Sequence, residues 1–171
     1  MYEIDVIDCE IVNLLMEDGR MHAAHIARRL GGKISERAVR YRIKRMVQDD
    51  IIKISAILNP HSIGFQVIAD VFIEVETGHI ESVAKKLSEH ENVSYVACSI
   101  GERDISVQII ARNNAEIYHF ATDYIGKLPG VRRTTTSIVP ITLKDIYQWR
   151  IPKSIYQELS NQSKLNNIQG P

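Results

Sequence analysis

Residues 20–48 read RMHAAHIARRLGGKISERAVRYRIKRMVQ, and two helices joined by a glycine turn are written in that stretch. Ala23, Ile26, Ala27 and Leu30 recur at i, i+3, i+4, i+7, which predicts a short helix from His22 to Leu30. Gly31-Gly32 stops it, because glycine takes the left-handed conformation without a Cβ penalty. Ser35 then offers an N-cap oxygen, and Glu36 places a negative charge at the positive end of the next helix. In that helix Val39, Ile43, Met46 and Val47 make the expected buried stripe at i, i+4, i+7, i+8. Arg37, Arg40, Tyr41, Lys44 and Arg45 must therefore point elsewhere.

Upstream, Asp5 can cap a helix whose apolar residues Ile7, Ile11, Leu14 and Leu15 share one face, and Asp18-Gly19 ends it. Three helices, the third basic on the side away from its core stripe, make a helix-turn-helix. A major groove about 12 Å wide admits one such helix, with its first turn toward base edges and later residues toward phosphates. Ser35, Glu36, Arg37, Arg40 and Tyr41 are the base-edge candidates, and Arg28, Arg29, Lys33, Lys44 and Arg45 the phosphate candidates. Arg42 flanks the core stripe, where it can pair with one of the N-terminal acids. Asp49-Asp50 leads into Ile51–Ile57, a β-rich run expected to form a wing or a connecting strand.

Charge sharpens this reading. The chain has 171 residues, 44% of them hydrophobic, enough for a buried core. Its 21 lysines and arginines balance 21 acids, and a net charge of zero, if evenly spread, disfavours a polyanion partner. The balance is a cancellation. Met1–Gly19 holds six acids and no lysine or arginine, whereas Arg20–Gln48 holds nine bases against Glu36 alone, a local charge of +8. That segment is either a solvated helical face or a phosphate footprint, and the helix-turn-helix pattern favours the footprint. No segment offers the roughly 20 apolar residues of a membrane span, and the acidic start lacks a secretory signal, so the expected location is cytoplasmic. Cys9 and Cys98 form no CxxC, and His22-x-x-His25 has no nearby third ligand, so no metal site and no disulfide scaffold are expected.

Asn59-Pro60 and Gly64 punctuate the chain, which places a linker at 55–65 between a DNA-binding domain over 1–54 and a second domain over 66–144. From Val67 to Glu76 apolar and mixed residues alternate with the period of a strand. A helix with Ile80, Val83, Ala84 and Leu87 follows, then two strands, Val93–Ile100 and Ile105–Ala111, around the turn Gly101-Glu102-Arg103-Asp104. Asn113 and Glu116 open a helix that Pro129-Gly130 ends, and Val131–Val139 is the last strand. The order is βαββαβ, so the fold class is α+β: a winged helix-turn-helix plus a ferredoxin-like domain with two helices on one sheet face. Ile68, Phe72 and Ile110 fall on the other face, which predicts self-association through the sheet. A dimer would also present two recognition helices about 34 Å apart to a pseudo-palindrome.

These motifs together resemble the Lrp/AsnC, or feast/famine, family of prokaryotic transcriptional regulators from about Ile4 to Lys144. Asp5 to Val12 is similar to the family's D-x-x-D-x-x-I-L opening, Asp18-Gly19-Arg20 to its D-G-R, and Ser35–Met46 to its S-x-x-x-V-x-x-R-I-x-x-L segment. Asp50–Pro60 resembles the connecting strand, Gly101–Asp104 the G-x-x-D turn, and Leu128–Thr136 the closing L-P-G-V-x-x-T-x-T. The resemblance implies a regulator of double-stranded DNA with a sensing domain of the RAM type, assembling as dimers and often octamers. It implies no cofactor but an effector, commonly an amino acid, bound between sensing domains, with Gly101, Arg103, Asp104, Thr134 and Thr136 as the effector residues here.

Three positions depart from the family pattern. Asp50 and Ile54 replace frequent glycines, and Arg103 stands where an aromatic is common. Arginine suits a ligand carboxylate and Asp104 a ligand ammonium, so an acidic or zwitterionic effector is one reading; a surface turn in which Arg103 pairs with Glu102 or Asp104 is the other. No GxSxG, P-loop or GxGxxG is present, and the chain is expected not to be an enzyme. The rival readings are a sirohaem-decarboxylase-like enzyme, similar in layout but with no need of a basic third helix, and an effector-independent architectural DNA binder. Residues 145–171 form an extension in which Tyr147, Trp149, Ile151, Ile155 and Leu159 could pack on a neighbouring subunit, with a disordered tail of about ten residues.

Overall fold

A computed structural model describes residues 3–168, with the order α1 (Val6–Glu17), α2 (Ala23–Arg29), α3 (Glu36–Gln48), β1 (Val67–Val75), α4 (Ile80–Ser88), β2 (Val93–Cys98), β3 (Ile105–Ala111), α5 (Asn114–His119), β4 (Val131–Val139) and α6 (Lys153–Ile168). These elements form two compact units. The first combines Met1–Ile57 with Lys144–Pro171, and the second is Leu58–Leu143.

In the first unit the expected caps form. Asp5 accepts from Asp8 N at 2.9 Å while Asp8 accepts from Asp5 N at 3.0 Å, a reciprocal capping box that satisfies two helix-end donors of α1. Ser35 Oγ accepts from Ala38 N at 3.2 Å and so fixes the start of α3. Ile11, Leu14, Ile26, Leu30, Val39 and Met46 make the core between the three helices. Each such side chain contributes about 1.5–3 kcal/mol when fully buried. Gly31 and Gly32 both have positive φ, at 69° and 72°, which turns the chain from α2 toward α3.

Two expectations for this unit are corrected. Val47 is 42% exposed rather than buried. At about 100° per residue it lies at the rim of the Val39–Ile43–Met46 stripe. The run Ile51–Ile57, expected as a wing or connecting strand, has no strand assigned among the described residues; at its start Ile51 N and Ile52 N both donate to Met46 O, at 2.8 and 3.3 Å. In the extension α6 runs over Lys153–Ile168, and the part of the expected tail from 169 on lies outside the described residues.

The second unit is a four-stranded antiparallel sheet in the order β2-β3-β1-β4. Alternate residues of β1 and β3 are buried, and Ala69, Val71, Ile73, Val75, Ile105, Val107 and Ile109 pack with Val83, Leu87, Ile117 and Phe120 of the helical layer. The helix after Asn113 is less regular than expected: α5 passes into a π-helical turn over Phe120–Tyr124 and a 3-10 turn over Ile125–Lys127. The partly exposed sheet face carries Ile68 between Ile110 and Val139, and Phe72 between Ser106 and Thr135.

Candidate functional site

The position of Arg42 fixes which way α3 faces. Its Nη1 donates to Asp5 Oδ2 at 2.8 Å and to Asp8 Oδ1 at 2.9 Å, so the arginine joins the start of α1 to the middle of α3. Its side chain is 24% exposed and that of Asp8 1%. Burial disfavours the guanidinium charge, but the hydrogen bonds to Asp8 and Asp5 outweigh it and push its pKa upward. Burial likewise raises the Asp5 carboxyl, yet the Asp8 N–H and Arg42 overcome this and hold it below the usual aspartate value. Of the two roles the sequence leaves for Arg42, the intramolecular one is observed.

With Val39, Met46 and Arg42 turned inward, the opposite side of α3 presents Arg37, Arg40, Tyr41 and Lys44 at i, i+3, i+4, i+7, all exposed. Arg40, with 71% of its side chain exposed, pairs with Glu36 one turn earlier. Tyr41 is 59% exposed. Arg45 donates to its hydroxyl at 3.3 Å and lies over its ring, 5.9 Å from the centroid. This contact pre-orders a planar cation beside an aromatic ring. Arg28 and Lys33 are exposed near the turn, whereas Arg29 is drawn to Glu17 of α1 at 3.2 Å. Ser35, placed with the base-edge group, uses its oxygen to cap Ala38 N.

The candidate effector residues are more dispersed. Gly101 opens the turn with φ +145°. Asp104 Oδ2 accepts from Val75 N at 2.7 Å, and its backbone joins Ile73 O at 3.0 Å and Ser99 N at 2.8 Å, so this carboxylate locks the turn to the end of β1. Arg103 folds over Phe72 with its guanidinium carbon 4.3 Å from the ring centroid, a partner other than Glu102 or Asp104. Thr134 and Thr136 pair with Ile73 and Val71, whose side chains enter the core, so both threonines share the helix side of the sheet. Phe72 and Arg103 occupy the other side. A separate cleft of about 380 Å³ on the helix side is lined by His90, Asn92, Phe120, Asp123 and Tyr124 among others. Its Asp123 is held below the usual aspartate value by the His119 hydrogen bond and by Lys127.

The AsnC-type helix-turn-helix profile matches residues 4–47, and the Lrp/AsnC ligand-binding-domain profile residues 68–149. An HTH-type transcriptional regulator of Pyrococcus furiosus is 36% identical over 137 residues, covering 80% of this chain and 91% of the relative. The chain belongs to the Lrp/AsnC family. The HTH-type regulator FL11 of Pyrococcus abyssi is 34% identical over 143 residues, 83% of this chain and 93% of its own length. Among solved structures, Escherichia coli AsnC superposes with a TM-score of 0.76 at 24% identity, covering 85% of this chain and 99% of that one. A Neisseria meningitidis regulator, described as an L-Met complex, gives 0.79 at 21% identity over 88% and 97%. The protein is an Lrp/AsnC-type transcriptional regulator with a helix-turn-helix and a ligand-binding domain.

Within that family frame, Asp50 adopts φ +54°, the left-handed conformation expected where the motif carries glycine. Two features escaped the sequence. The burial of Asp8 follows from the path of Arg42, 34 positions away, and Tyr156 reaches Asn13 from 143 positions away. Neither leaves a periodic signal. No helix among the described residues is long and apolar enough to cross a membrane.

Proposed function

We propose that Arg37, Arg40 and Tyr41 on the outer side of α3 read base edges of double-stranded DNA, that Glu36 and the capping Ser35 order the same turn, and that Lys44, Arg45, Arg28, Arg29 and Lys33 contact phosphates. The observation that carries this is the Arg42 bridge: with the inner side of α3 bound to Asp5 and Asp8, the four side chains at helical spacing lie exposed on the side away from the three-helix core. Glu36 screens Arg40 in the free protein, so a base contact by Arg40 exchanges that ion pair for hydrogen bonds to acceptors on a base edge. The protein acts as a dimer or larger oligomer built on the sheet face that carries Ile68, Phe72 and Ile110. Selection of duplexes from a random pool by the purified protein tests the reading. A pseudo-palindromic consensus supports it, and salt-sensitive binding without preference would favour the architectural reading instead.

The ligand-binding domain takes a small zwitterion between sensing domains, with Arg103 and the backbone of Gly101 on the open side of the sheet. Asp104 shapes the turn and keeps one carboxylate oxygen for the ligand's ammonium group, since only Oδ2 is held by Val75 N. Thr134 and Thr136 would line the same ligand only from the helix side of edge strand β4. The L-Met complex of the Neisseria relative makes amino acids the first compounds to try. A thermal-shift screen of the twenty amino acids should give a stabilising hit at millimolar concentration; twenty flat responses would oppose an amino-acid effector. Absorbance between 350 and 450 nm tests the enzyme alternative, because bound tetrapyrrole would absorb there.

A further inference from the structure

The helix α1 has two buried sides, and only one of them faces α2 and α3. Ile11 and Leu14 enter the three-helix core. Cys9, Asn13 and Met16 follow at i, i+4, i+7 on the opposite side, and Cys9 is nevertheless 1% exposed. That second side is met by the extension, which lies beyond the last matched position, 149. Asn13 Nδ2 donates to Tyr156 Oη, and burial beside Cys9 and Glu10 pushes the Tyr156 phenol upward. Arg150 Nη2 donates to Met16 O at 3.1 Å. Met16 O belongs to the last turn of α1, whose carbonyls lack helical partners, and that turn carries no basic residue of its own. Arg150 supplies the missing cation from 134 positions away.

We infer that the C-terminal extension is a positioning element for the DNA-contacting helix: Tyr156 and Arg150 hold α1, and α1 holds α3 through Asp5, Asp8 and Arg42. The chain leaves the DNA-binding unit at Ile57 and re-enters it at Lys144, so the ligand-binding domain is an insertion within that unit, joined to it at both ends. Any shift of the segment that carries Arg150 and Tyr156 bears directly on α1, and from there on Arg42. The functional half of this inference rests on the DNA-binding reading above.

The test uses the full chain as wild type, Tyr156→Phe, Tyr156→Ala and Arg150→Ala, at a temperature where circular dichroism shows all four folded. Backbone amide exchange is followed in α1, β1 and β3. Affinity is measured for a duplex selected by the wild type from random DNA and for an unrelated duplex at the same salt. Tyr156→Ala should speed α1 exchange about tenfold and leave β1 and β3 unchanged. It should weaken the selected duplex about fivefold and the unrelated one far less. Arg150→Ala should act in the same direction, and Tyr156→Phe, which keeps the ring, should do so more weakly. Wild-type exchange in α1 for both alanine variants would overturn the inference, as would faster exchange with undiminished affinity for the selected duplex. A wild type that selects no duplex would sink the DNA-binding reading and the positioning role together, and the exchange data would then separate that failure from failure of the α1 contact.

Discussion

The two candidate sites are built on opposite plans. On α3 the candidate residues share one side of one element, and the opposite side is anchored by Val39, Met46 and the Arg42 bridge. In the sheet domain they are split by the strand pleat, with Arg103 over Phe72 on one face and Thr134 and Thr136 on the other. A helical site inherits its geometry from the period of the sequence, whereas a sheet site depends on register between strands far apart in the chain.

The contrast between the inner and outer sides of α3 gives the largest expected effect. Arg42→Ala leaves the Asp8 carboxylate buried without its cation and should cost about 3 kcal/mol of stability in the DNA-binding unit, read by chemical denaturation. Arg37→Ala, on the outer side, should lose about 2 kcal/mol of discrimination at particular bases with little change in stability. If the two substitutions had the same signature, the division of the helix into a packed side and a reading side would be wrong.

The sheet domain sharpens the comparison with a smaller effect. Asp104→Ala removes the acceptor for Val75 N and should cost about 1.5 kcal/mol, by thermal unfolding of that domain, before any ligand is considered. Arg103→Ala should cost about 0.5 kcal/mol, the scale of an exposed cation-π contact. A larger loss for Arg103 than for Asp104 would reverse their assigned roles.

Acid gives an effect as small as that of Arg103→Ala. Because the folded-state pKa of Asp5 is depressed, its contribution is complete above the ordinary aspartate value of about 3.9 and is lost as pH falls through the lower folded value. Being half-exposed, Asp5 should account for about 0.5 kcal/mol of a urea midpoint shift below pH 4, and Asp5→Asn should remove that part of the pH dependence.

Legibility in the sequence follows the same divide. The caps at Asp5, Ser35 and Asn113, the βαββαβ order and the outward stripe of α3 are local patterns, and each is present in the fold. The wing or connecting strand expected for Ile51–Ile57 is not assigned as a strand among the described residues, because strand propensity names no partner. Val47 fits the apolar spacing, but its burial depends on whether a neighbouring helix reaches that rim. Arg103 and Asp104 are adjacent and oppositely charged, which suggests an ion pair; the fold instead gives one an aromatic face and the other a backbone N–H. The docking of Tyr156 on Asn13 joins ends of the chain that share no motif.

The most direct test of the central claim, that the side of α3 opposite Arg42 reads base sequence, is a binding-site selection run in parallel on wild type, Arg37→Ala and Arg40→Ala. Each variant should keep binding duplex DNA but lose preference at one or two positions in each half of the consensus. Identical consensus sequences from all three proteins, or a uniform loss across every sequence, would contradict it.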